Sequence, residues 1–192
     1  MIKFYTNQEL AHRFDINLAR WKRWSREFLP PDPLGGLQSG YARQYNVDQA
    51  FTVYLGGFLV GELKFTIPEA RRILVDLHSW LVTHQFYTDY SRHNPQGIEN
   101  GPAILYYQIA IGRLAAAGNA EAGFFYVYRG VMAGEIKDVN GIAVRQERYV
   151  ESTVNLETKA TPMLTTAGYC VLNISVLRKR FLTSLTGSVT AE

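Results

Sequence analysis

Between Thr6 and Pro31 the chain has room for two short helices and a tight turn, and for little else. Thr6-Asn7-Gln8-Glu9 is a capping box: the Thr6 hydroxyl accepts from the backbone N–H of Glu9, and the Glu9 carboxylate reaches back to the N–H of Thr6. Leu10, Ala11 and Phe14 then share one helical face over 6–14. Asp15-Ile16-Asn17 makes the turn, with Ile16 as its apolar plug and Asn17 as the next N-cap. A second helix is predicted over 18–28, with Leu18, Trp21, Trp24 or Ser25, and Phe28 along its apolar side. Pro30-Pro31 ends it, because proline cannot extend the hydrogen-bond ladder. Two helices joined by three residues have the dimensions of a helix-turn-helix. The second carries Arg20, Lys22, Arg23 and Arg26 against a single acid, Glu27. On composition alone such a run is as readily a solvated face as a binding one.

The next segments narrow the choice. Residues 32–40 (DPLGGLQSG) form a turn-rich excursion, and Tyr41-Ala42-Arg43-Gln44-Tyr45 alternates like a short strand. An apolar helix is predicted over 51–63, capped by Asn46 or Asp48, although Gly56, Gly57 and Gly61 inside it each cost about 1 kcal/mol. Thr66-Ile67-Pro68-Glu69 opens a further helix, with proline in its first turn and an apolar stripe running to about residue 85.

Taken in order, these segments resemble the DNA-binding domain of the MerR family. Tyr5-Thr6-x-x-Glu9-Leu10-Ala11-x-Arg13-Phe14-x-Ile16-Asn17 is similar to that family's first helix and turn. Trp21-Lys22-Arg23-Trp24-x-Arg26-Glu27-x-Leu29 stands at its second helix, with Trp21, Arg23 and Trp24 in place of the usual leucine and tyrosine pair. Gly40-Tyr41-x-Arg43-x-Tyr45 resembles the wing, and Phe65-Thr66-Ile67-x-Glu69-x-Arg71-Arg72-Ile73-Leu74 the fourth helix. The family's long dimerising helix has no counterpart after residue 85, which leaves the carboxyl-terminal domain to supply a dimer.

The resemblance implies a sequence-specific, dimeric regulator of transcription that binds double-stranded DNA with no cofactor. A recognition helix of this type enters the major groove with its amino-terminal half towards the bases. Asn17, Ala19, Arg20 and Arg23 are the candidates for that half, with Arg20 facing a guanine. Lys22 and Arg26 fall to phosphates, and Thr6 is a further DNA-binding candidate. Trp24 either packs in the core or donates its indole N–H to a phosphate. Tyr41 and Arg43 bring the wing to the flanking backbone or minor groove. RNA polymerase and a small-molecule effector are the further partners the resemblance admits. Two other readings stay open: an excisionase-like or architectural DNA-binding protein, and a protein-interaction module with a winged head.

After Gly101 the pattern turns towards sheet. Residues 103–111 read as a strand or a buried helix, 124–131 as a strand, and Asn140-Gly141 as a hairpin turn before another strand over 142–154. A strand over 169–174 and a helix over 176–185, capped by Ser175, close the chain. The expected fold class is α+β: a winged helix-turn-helix over 1–86, a linker over 87–101, and over 102–192 an α+β domain with an antiparallel sheet, for dimerisation or for binding an effector or partner. Its aromatic residues (Tyr106, Tyr107, Phe124, Phe125, Tyr126, Tyr128 and Tyr149) suit a core before a pocket, and the basic trio Arg178-Lys179-Arg180 suits a solvated face.

Other functions find little footing. Cys170 is the only cysteine, so a multi-cysteine metal site is excluded, and His78, His84 and His93 are not spaced as ligands. No nucleophile elbow, phosphate loop or carboxylate pair suggests an enzyme. The amino terminus lacks signal-peptide character, and every apolar stretch is broken before the roughly 20 residues a membrane helix needs. The expectation is a cytoplasmic, nucleoid-associated protein. Its net charge of +3 permits an anionic partner without requiring one.

Overall fold

A computed structural model describes residues 3–32, 42–87, 104–114, 123–154 and 168–187. The fold is α+β, with helices first and an antiparallel sheet after them. In chain order the elements are β1 (Tyr5–Thr6), α1 (Asn7–Arg13), α2 (Leu18–Phe28), β2 (Gln44–Tyr45), α3 (Val47–Gly61), α4 (Ile67–Thr83), β3 (Tyr106–Arg113), β4 (Phe124–Val139), β5 (Ile142–Val154), β6 (Cys170–Leu172) and α5 (Ile174–Thr186). They fall into two compact units, one of Met1–Gly97 with Arg178–Glu192, the other of Ile98–Leu177. Among the described residues no helix is long and apolar enough to cross a membrane.

In the helical unit the local signals act where they stand. Capping boxes close on Thr6 and Glu9, on Asn46 and Gln49, and on Thr66 and Glu69. Asn17 caps α2 by accepting from the N–H groups of Ala19 (2.9 Å) and Arg20 (3.3 Å). Asp15 turns the chain between α1 and α2 at φ 51°, a left-handed conformation that aspartate tolerates better than most residues. Strand β2 pairs antiparallel with β1, setting Tyr45 beside Tyr5. The linker expected over 87–101 lies outside the described residues but for Tyr87. That residue is buried, its ring edge-on to Phe51 at 6.1 Å, and so belongs to the helical unit.

The glycines of α3 have a packing purpose. A Cβ on Gly57 would overlap the six-membered ring of Trp24, and one on Gly56 would overlap the ring of Phe28. Two aromatic residues of α2 thus lie directly on the α3 backbone, which offsets the helix propensity that glycine forfeits. Gly61 has open space at its Cβ position.

The final helix departs from the expected domain plan. From Arg178 onward α5 belongs to the helical unit, where Phe181 is fully buried among Phe14 (5.2 Å), Phe51 (5.1 Å) and Tyr54 (5.5 Å). Arg13 Nη1 donates to the Leu185 carbonyl at 3.0 Å, satisfying a group that the helix end leaves open. The basic trio is split. Lys179 and Arg180 are exposed, but Arg178 is buried, 4.5 Å above the Phe51 ring and 4.0 Å from Asp48 Oδ1. An arginine stem covers apolar surface well, and a ring face attracts its cation. Burial lowers the guanidinium pKa, and the Asp48 charge opposes that shift.

The sheet unit has the strand order β5-β4-β3-β6, all antiparallel. Of the two readings of 103–111, the strand is the one observed, from Tyr106 onward. Asn140 (φ 56°) and Gly141 (φ 80°) form the hairpin turn, where Asp138 Oδ1 accepts from the Gly141 N–H. Phe124 to Tyr128 are buried on both faces, so the aromatics of β4 are core; Tyr149 is exposed beneath the Arg129 guanidinium. Gly112 lies opposite Phe125 and leaves room for its ring. The cap of α5 is Asn173 and not Ser175: Asn173 Oδ1 accepts from the Val176 N–H, while Ser175 Oγ accepts from the Tyr107 N–H.

Glycine-to-alanine exchange in a helix ordinarily stabilises by up to about 1 kcal/mol. Gly61→Ala is expected to follow that rule, whereas Gly57→Ala is expected to destabilise by about 1–3 kcal/mol through overpacking against Trp24. Urea unfolding of the two variants measures both signs.

Candidate nucleic-acid interface

Helix α2 is sharply two-sided. At about 100° per residue, Trp21, Trp24, Ser25 and Phe28 fall on one side, and Ala19, Lys22, Arg23 and Arg26 form a stripe at i, i+3, i+4 and i+7 on the other. The first side packs: Trp21 is fully buried and Ser25 is 3% exposed. The second side is exposed throughout, with Arg20 flanking it. Leu18, expected on the apolar face, is instead 38% exposed, on the wall of an open groove. Trp24 is half-buried on the α3 backbone, which favours its core role over a phosphate contact.

Glu27 would oppose this charge if left alone, since it lies one helical turn after Arg23. It is engaged elsewhere: Arg71 of α4 places Nη2 at 2.6 Å from Glu27 Oε2, and its Nε donates to the Glu27 carbonyl at 3.0 Å. A single guanidinium thus neutralises the acid and caps the end of α2. Among the described residues, none of Arg20, Lys22, Arg23 and Arg26 is in an ion pair.

The pose of α2 against β2 depends on a buried polar relay. The Tyr45 hydroxyl donates to Asn7 Oδ1 at 2.6 Å and shares a 2.6 Å hydrogen bond with Ser25 Oγ. One phenol therefore ties β2, α1 and α2 together. Burial raises its pKa, with the Ser25 hydrogen bond and the nearby Arg43 charge acting in the other direction. Arg43 lies 5.6 Å from the Tyr45 ring centre. Beside this relay an open groove of about 840 Å³ runs between the start of α1, α2 and β2, with Thr6, Lys22, Arg26 and Arg43 on its wall and Asp32 as its acid.

The structure therefore brings Thr6, Lys22, Arg26 and Arg43 to one groove and sets Ala19, Arg20 and Arg23 on the exposed face beside it. Thr6 and Asn17 spend their side-chain oxygens on capping, leaving Asn17 only its amide N–H groups for outside contact. Tyr41 lies outside the described residues. Sequence reasoning missed Arg71 and the Ser25–Tyr45–Asn7 relay, whose members are too far apart in the chain to leave a local signature. Compared with known proteins, the chain matches no protein-family model and no curated protein by sequence.

Tyr45→Phe removes both hydrogen bonds and leaves Ser25 buried with a lost partner, at an expected cost of about 1–3 kcal/mol. The raised phenol pKa adds a pH signature. The folded state keeps its proton above pH 10, where the unfolded chain releases it, so the stability this supplies is full below that pH and falls as pH climbs past it. Urea unfolding at pH 8 and pH 11 should show a smaller alkaline loss in Tyr45→Phe than in the wild type.

Proposed function

We propose that the helical unit binds double-stranded DNA sequence-specifically and that the protein regulates transcription as a homodimer. The observation that carries this reading is the exposed cationic stripe of α2, held outward by Trp21, Trp24 and Phe28 and relieved of its one acid by Arg71. In the major groove, Ala19 permits close approach and Arg20 and Arg23 reach base edges, with Arg20 bidentate to a guanine. Lys22 and Arg26 meet phosphates on one side, and Arg43 meets the flanking backbone from β2. The order of α1, turn, α2, strand, α3 and α4 fits the MerR-like winged helix-turn-helix that the sequence resembles. A cytoplasmic, nucleoid-associated location follows from the function.

Binding sites selected from random duplex DNA, followed by fluorescence anisotropy at several salt concentrations, test the reading. Arg20→Ala should lose about 1–3 kcal/mol and relax preference at one base pair, while Lys22→Ala should weaken all sequences alike and lower the salt slope by about 1. Arg71→Ala should weaken binding as well, because it frees the Glu27 carboxylate beside the stripe. Affinity that is indifferent to salt, or an Arg20→Ala variant with unchanged sequence preference, overturns the assignment.

A further inference from the structure

The sheet unit carries a hairpin longer than its core can cover. Beyond Val131 the β4–β5 ribbon leaves the packed region, and residues 134–146 are exposed without exception, so neither face of the ribbon is covered. Ile136 (77% exposed), Ile142 (66%) and Val150 (46%) are among them or beside them. A two-stranded ribbon in water is marginal by itself. Its outer strand β5 is also an open edge: among the described residues it pairs with β4 alone, over 13 residues. It carries no proline, and the one irregularity in the ladder lies on β4 at Met132, so neither of those devices against edge pairing stands on β5 itself. Its charges, Arg145, Glu147, Arg148 and Glu151, are of both signs, so they oppose some pairings and favour others.

We infer that this edge is occupied by β5 of a second copy of the chain, antiparallel about a two-fold axis at Gln146. An axis perpendicular to the sheet passes through one residue position and pairs the residues equally spaced on either side of it, and centres at Arg145 or Glu147 put like charges together on the axis. Centred on Gln146, nine residues pair. Ile142 meets Val150, Ala143 meets Tyr149, Val144 meets Arg148, and Arg145 meets Glu147 twice, once on each side of the axis. Centred on Arg148, two arginines oppose each other on the axis; centred on Val150, no opposite charges meet. Arg145 and Glu147 lie on one face and pair with each other along the strand at 2.7 Å, with Tyr106 also donating to Glu147, so the cross-strand pairs extend a charge cluster that each strand already holds. The product is a continuous eight-stranded sheet, β6-β3-β4-β5-β5-β4-β3-β6. It gives the proposed homodimer its surface, and rests on that reading only in the need for a dimer.

Sedimentation equilibrium of the full chain tests it. The wild type should be dimeric, and Arg145→Glu should raise the dimer dissociation constant by about tenfold or more, since two attractive cross-strand pairs become repulsive. The double variant Arg145→Glu with Glu147→Arg should restore wild-type association, because the pairs are exchanged and not removed. The register centred on Arg148 predicts no such rescue, as residue 145 would there face Glu151. Circular dichroism melts of each variant show that the subunit itself is folded. A monomeric wild type, an Arg145→Glu variant that dimerises normally, or a double variant that fails to recover overturns the inference. Anisotropy on a duplex holding one selected half-site separates the two readings: salt-dependent binding by a monomeric wild type sinks this pairing alone, and a rescued dimer with no DNA binding sinks the DNA reading alone.

Discussion

The contact between α2 and the bare backbone of α3 is the constraint on which the helical unit turns. Trp24 and Phe28 can lie on α3 only because Gly57 and Gly56 carry no side chain there. Those rings, with fully buried Trp21, fix the rotation of α2 about its axis. Rotation decides everything that follows, because a helix presents its faces every 100° or so. With the aromatic side inward, Ala19, Lys22, Arg23 and Arg26 have only the outside left to them. Glycine's cost to helix propensity is about 1 kcal/mol at each position, less than burying an indole and a phenyl ring returns.

Electrostatics refine the surface that packing creates. Four cations within one helix would gain little from a neighbouring carboxylate that competed for them. Arg71 removes that competition from outside the helix, and it does so at the place where α2 needs a partner for its terminal carbonyl. Arg178 shows the opposite treatment of the same residue type. Its guanidinium is held between two aromatic rings with Asp48 nearby, and its task there is packing and cohesion. Arginine in this protein is thus surface charge on α2, a clamp on α4 and a core residue on α5. Only the neighbours distinguish the three.

The sheet unit poses the complementary problem. Its core is dense around Phe125, Val127 and Ala110, and the ribbon beyond it has nothing comparable. The hydrogen-bond ladder between β4 and β5 continues past the point where side-chain burial ends. Ladder without burial is the usual condition of an element that completes its packing against something else, which is why the symmetry of the β5 sequence about Gln146 matters.

Much of the local structure was legible in the sequence, since capping and turn formation are decided within three or four residues. Thr6 with Glu9, Asn17, Thr66 and Asn140-Gly141 all act where their spacing placed them, the choice between Asn46 and Asp48 falls to Asn46 in a helix that starts earlier than expected, and the α+β class follows from where the periodicity changes. The candidate site was legible as a list of cations and illegible as a surface. Leu18 left its expected side, Arg178 moved inward, and α5 joined the helical unit because Phe181 found its rings and Leu185 its donor there. Arg71 meets Glu27 across 44 residues, and Arg13 meets Leu185 across 172. Contacts at such separations leave no periodic trace. Caps and tight turns are settled by residues three or four apart and can be read along the chain; which face of a helix looks outward depends on a partner the local chain does not contain, and only the folded protein supplies it.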